Sequence, residues 1–164
     1  MLRATRINES STPGTDWESH FTTMTLMVHE EGVGRSTKPA QAPAAVVAAF
    51  HAALASGDRF GALSLLAPEL VVFEAGDGEM SRDAYASEHL DGDLEFTRTT
   101  KTQVLEERSG ESGDAGWVLR RTETAGSFGG KPVASRDTAT FLLRRTAEGW
   151  RITHVHWSSH SVKK

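Results

Sequence analysis

The segment Trp150-Arg151-Ile152-Thr153-His154-Val155-His156-Trp157-Ser158-Ser159-His160 is where the reading of this chain turns. Its β-branched and aromatic residues favour a strand. Side chains alternate along a strand, so Trp150, Ile152, His154, His156 and Ser158 share one face in a regular pleat. Trp150 and Ile152 mark that face as core-directed, and its continuation through two histidines is polar. The pattern predicts a strand that leaves a packed core and ends at the mouth of a pocket.

Working backwards, strands are expected at 94–108, 116–128, 131–146 and 149–159. Gly129-Gly130 suits a two-residue hairpin turn, which needs positive φ. Strands this long exceed the usual ~5–6 residues, and long neighbours joined by tight turns must twist and curl. The partner for such a curled sheet lies upstream. Pro43 suits a first helical turn, Val46, Phe50 and Leu54 recur at helical spacing, and Gly57 stops the helix. Asp58 caps a second helix to Leu66 that turns Phe60, Leu63 and Leu66 inward, ahead of a strand at 69–75 and a turn at Gly76–Gly78. Ser81 caps a third helix over 82–90, with Asp83 in its first turn.

The chain has 164 residues, 38% hydrophobic and 24% charged, with no cysteine and a formal net charge of −4. A disulfide scaffold and cysteine-held metals are excluded. No apolar stretch approaches the ~20 residues of a membrane-crossing helix, so no membrane partner is expected. Mild acidity speaks against nucleic acid, whose binding relies on clustered Lys and Arg. Residues 1–40 form a polar leader, broken by a more apolar stretch at 20–29 that lacks the form of an export signal. Met24 is an alternative start, the cytoplasm is the expected location, and one domain spans 41–160 with a short tail at 161–164.

With no cysteine, chemistry falls to histidine, carboxylate and hydroxyl groups. Glu74 shares a strand face with Leu70 and Val72, where a carboxylate is costly to bury unless partnered. Tyr85 and His89 are i, i+4 neighbours on the third helix, and the short 75–80 connection brings them near Glu74. Arg121 shares parity with Trp117 and Leu119, so it is favoured over Arg120 as the pocket arginine. Together with His154 and His156 these residues would line a ligand pocket. His156 and Glu74 are the acid–base candidates, and Tyr85, His89, Arg121 and His154 the ligand-binding ones. Two alternatives stand beside an enzyme: a dimeric accessory or ligand-binding module, and a metal site of His154 or His156 with Glu74 and His89. The chain carries no phosphate-binding glycine loop, nucleophile elbow or zinc helix, and no cofactor is expected.

The stretches AAFHAALASGDRFGALSLLAPELVVFE and GWRITHVHWSS, with the helix–strand order between them, resemble the nuclear transport factor 2-like superfamily, especially its SnoaL-like and ketosteroid-isomerase-like members. The resemblance covers about residues 42–160. It implies an α+β cone in which a strongly curved antiparallel sheet wraps the N-terminal helices and leaves a pocket at the open end. It further implies a small organic ligand, metal-free acid–base chemistry of the isomerase, dehydratase, cyclase or hydrolase kind, and a homodimer formed through the sheet. Steroid isomerases place a tyrosine on the first helix. Here that helix carries Phe50 and His51, a departure from steroid isomerase activity itself.

Overall fold

The computed structural model describes residues 41–162. The expected leader at 1–40 and the last two residues of the tail lie outside the described residues. Within them run α1 (Pro43–Ser56), α2 (Arg59–Ser64), β1 (Leu66–Glu74), β2 (Asp77–Glu79), α3 (Arg82–Glu88), α4 (Leu90–Thr99), β3 (Thr100–Ser112), β4 (Ala115–Phe128), β5 (Lys131–Thr146) and β6 (Gly149–Ser161). The fold is α+β, with an open, curved six-stranded sheet ordered β2-β1-β6-β5-β4-β3.

Pro43 opens α1, whose Val46, Val47, Phe50 and Leu54 are buried, and Gly57 closes it. The Asp58 carboxylate accepts from Gly61 N (2.8 Å), capping α2. That helix departs from expectation: Phe60 is 85% exposed and Ala62 is the buried residue. Six residues are too few for an inward stripe, and Leu65 O accepts from Ile152 N, which draws the chain into the sheet before Leu66. A larger departure is α4, which occupies 90–99 where a strand was expected from Leu94. Leu90 and Leu94 both pack on the core at i, i+4. Asp91 and Asp93 stand in the first turn and Arg98 in the last, as the helix dipole favours.

Strands β3 to β6 form an antiparallel meander, while β1 joins β6 in parallel. Gly129 and Gly130, at φ 57° and 76°, make the expected hairpin turn. α1 packs on β4 and β6, α4 on β3 and β4, and α3 on β1. A Cβ at Gly116 would stand 2.8 Å from Pro43 Cγ, so glycine lets the first turn of α1 approach the sheet.

A bulge in β6 decides which side chains face the helices. Leu143 pairs with Ile152 and Leu142 with His154, which leaves Thr153 without a partner on β5. One extra residue reverses the alternation beyond it. Trp150 and Ile152 face the core as expected, but Val155 and Trp157 then continue that inner face. His154 and His156 lie on the outer face. No helix among the described residues is long and apolar enough to cross a membrane.

Candidate functional site

Five polar side chains converge where β1, β2, α3 and α4 meet. Glu74 ends the inner face of β1, one alternation beyond buried Leu70 and Val72. Glu79 reaches the same place from β2, which pairs antiparallel with β1 through Val72 and Glu79. The Ser81 hydroxyl accepts from Ala84 N (3.0 Å), and the helix it caps carries Tyr85 into the core. His89 stands at the junction of α3 and α4, its N–H donating to Tyr85 O and its carbonyl accepting from Asp93 N. Asp93 lies one turn further on, on the same side as His89.

His89 Nδ1 lies 2.7 Å from Glu79 Oε1 and Nε2 lies 3.2 Å from Glu74 Oε2. Nδ1 donates to Glu79 and the Glu74 carboxylate lies within ion-pair distance of Nε2, an arrangement that favours the charged imidazolium. Burial opposes that charge, but the surrounding carboxylates of Asp93, Glu79 and Glu74 outweigh it and raise the His89 pKa. The Tyr85 hydroxyl donates to Asp93 Oδ2 at 2.6 Å, and its ring stacks on His89 with centroids 6.3 Å apart. Burial holds the Tyr85 proton on, with the Asp93 charge adding to it. Asp93 is pushed up to about 6, chiefly by burial, against the lowering effects of the Tyr85 hydrogen bond and the His89 charge. A carboxylate poised near neutrality beside an imidazolium has the makings of an acid–base pair.

Glu74, Tyr85 and His89 are thus brought together, and three expected companions are elsewhere. His154 donates from Nδ1 to Val71 O (3.0 Å) with its ring edge-on to Phe73. His156 is exposed on the outer face, opposite Phe73 of β1 and Thr140 of β5. The bulge at Thr153 is the physical reason for both placements. Arg121 also points outward, towards Glu106 (3.4 Å), because Gly116, Val118 and Arg120 take the inner face of β4. The metal set of His154 or His156 with Glu74 and His89 is therefore divided between the two faces of the sheet. Among the described residues no group of three or more His, Asp or Glu is disposed to hold a metal ion.

Two members of the cluster had no place in the sequence reading. Asp93 is four residues from His89 and eight from Tyr85, a helical spacing that becomes visible once 90–99 is read as helix. Glu79 sits in a segment that reads as a turn. A second inner-face group is Arg120, bonded to Glu107 Oε2 (2.6 Å) and close to His51 Nδ1 (3.2 Å). A cavity of about 240 Å³ has mainly outer-face side chains in its wall, among them Arg121, Arg136, Thr138, Ser158 and His160, and none of the five cluster residues. Both arginines there are well exposed and paired with glutamates, as solvated surface groups are.

The SnoaL-like domain model matches residues 44–161. A ketosteroid isomerase candidate from Shewanella frigidimarina is 32% identical, with 70% of this chain and 92% of that one covered at a TM-score of 0.67. A dehydratase candidate of the NTF2-like family from Streptomyces avermitilis has 18% identity, covers 74% and 94%, and gives a TM-score of 0.61. The CaMKII hub of S. rosetta, at 21% identity, covers 74% and 97% with a TM-score of 0.60. No curated protein matches the chain. A sheet folded over its helices, a polar cluster at one end and a family match across nearly all described residues agree: the chain belongs to the SnoaL-like family.

Proposed function

We propose that this domain binds a small organic molecule beside the Glu74–His89 cluster and moves a proton on it. Asp93 is the base, and the His89 imidazolium is the acid or electrostatic partner. The observation that carries this reading is the convergence of Asp93, Tyr85 and a His89 held between two carboxylates, just beyond the buried Leu70 and Val72 of the inner face. Tyr85 and Glu79 act as positioning residues, fixing the Asp93 carboxylate and the imidazole ring. The likeness to an isomerase candidate at 32% identity favours proton removal from carbon next to a carbonyl. The test is deuterium uptake from D2O by a panel of methyl ketones, followed by proton NMR. The folded protein should accelerate exchange, and Asp93→Asn should slow it by at least about 100-fold; equal exchange by the variant would overturn the assignment.

A second reading concerns assembly. Phe73, Trp117, Leu119 and Leu142 all lie on the outer face and are 40–46% exposed. Register places Trp117 beside Leu142, and Leu119 two residue pairs along the same strands, opposite Thr140. This apolar face supports a homodimer formed sheet to sheet, and the solved relatives include kinase association domains.

A further inference from the structure

The strand register defines a row across the inner face: Glu74 on β1, Trp157 on β6, Ala139 on β5, Arg120 on β4 and Glu107 on β3, each the Cα partner of the next. The row one alternation deeper is Val72, Val155, Phe141 and Val118, all buried. The row towards the strand ends holds Ser159, Asp137 and Thr122. The Glu74–Arg120 row therefore marks the boundary between core and polar mouth. Its ionic groups stand apart, Glu74 on one side and Arg120 with Glu107 on the other, with an aromatic ring and a methyl group between them.

Arg120 is 9% exposed, and its guanidinium is only partly bonded within the domain. Its Nε donates to Glu107, and its Nη1 faces His51 Nδ1. That same His51 nitrogen lies 2.9 Å from Val47 O, and a ring nitrogen cannot donate to a carbonyl and accept from a guanidinium at once. Burial lowers the His51 pKa, so the ring is neutral and adds no competing charge. Nη2 has no partner among the described residues. The one sealed, unpartnered side-chain polar atom among them is Trp150 Nε1, so Nη2 is not sealed from solvent.

We infer that Arg120 is the anion-recognising group of the site, and that the ligand is a short keto acid. Its carboxylate pairs with the free edge of the guanidinium, and its carbon chain lies over Ala139 and Trp157. Its carbonyl end reaches Asp93 and His89. Three strand spacings of ~4.8 Å separate Glu74 from Arg120, and side chains reaching in from both ends leave a span of a few carbons. Glu107 is a positioning residue that holds Nε and turns the Nη edge inward. A planar fork meeting a planar carboxylate is the arrangement for which arginine surpasses lysine. The inference rests on the proton-transfer reading of the same site.

The test uses 3-oxobutanoate, 4-oxopentanoate and 5-oxohexanoate with their methyl esters, measured by calorimetry on the full chain. At least one acid should bind at least about tenfold more tightly than its ester. Arg120→Gln should remove that preference, and Arg120→Lys, which keeps the buried charge and supports folding if the glutamine variant does not, should reduce it. Asp93→Asn should lose exchange yet retain the preference. If no acid binds, or acid and ester bind alike, or folded Arg120→Lys discriminates as well as the parent, the inference falls. Exchange of the neutral esters lost on Asp93→Asn would then leave the proton-transfer reading standing. An Arg120-dependent preference with exchange unaltered by Asp93→Asn would instead remove that reading, and with it the catalytic end of the proposed ligand.

Discussion

Asp93 and His89 both bind a proton more readily in the folded chain than in the unfolded one. The folded Asp93 pKa is about 6 against 3.8 for an unperturbed aspartate, so its stabilising effect is complete only below 3.8 and is lost as pH rises through about 6. His89 is raised above 6.5, and its contribution, complete below 6.5, disappears as pH climbs through the higher folded value. The signs agree. Between about pH 5 and 8 the loss of the Asp93 contribution should cost the fold about 1–2 kcal/mol, and the loss at His89 adds to it in the same direction. Asp93→Asn, which keeps an acceptor for Tyr85, should flatten that slope and raise the urea midpoint at pH 8. A variant whose midpoint tracks the parent at both pH values would contradict this. Glu74, Tyr85 and His89 were legible because strand alternation and the i, i+4 rule place them without knowledge of the fold. Asp93 was hidden because Gly92 and the threonines around 97–100 obscure a helix that tertiary packing stabilises.

The decisive element is the bulge in β6. Alternation was the right rule for Trp150 and Ile152, and it failed at Thr153, a residue with no sequence mark of irregularity. Bulges depend on how neighbouring strands must bend, which a single strand's sequence does not carry. The structure makes a prediction opposite in sign to simple alternation. Val155→Ala should destabilise the domain by about 2 kcal/mol, since Val155 is 1% exposed. His156→Ala, on the outer face, should change stability by less than about 0.5 kcal/mol. Chemical denaturation of the pair checks this, and a larger loss at His156 would mean that the strand is in the other register. The helix caps and the hairpin at Gly129-Gly130 were readable beforehand because each depends on local chemistry alone.

For the molecule as a whole, the curved sheet divides two tasks between its faces. The inner face carries the core and the polar cluster, and the outer face carries apolar residues with little to cover them. Leu119→Asp should abolish a sheet-to-sheet dimer without touching the inner core, because its side chain is 44% exposed. Sedimentation at micromolar concentration should give a dimer for the parent and a monomer for the variant. A monomeric parent would remove the assembly reading.

The parallel pairing of β1 with β6 also governs how the domain comes to be folded. Val71 and His154 are joined across 83 residues, and between them the chain must complete two helices, the meander and every intervening turn. Contacts so distant in sequence slow folding, since loop closure precedes the reward of pairing. During synthesis, β1 and its helices emerge long before their central partner. Until residues 149–161 leave the ribosome, β1 and β5 each present an unpaired edge and an uncovered apolar face. The interval before closure is when the nascent chain is most prone to aggregate and most dependent on chaperones.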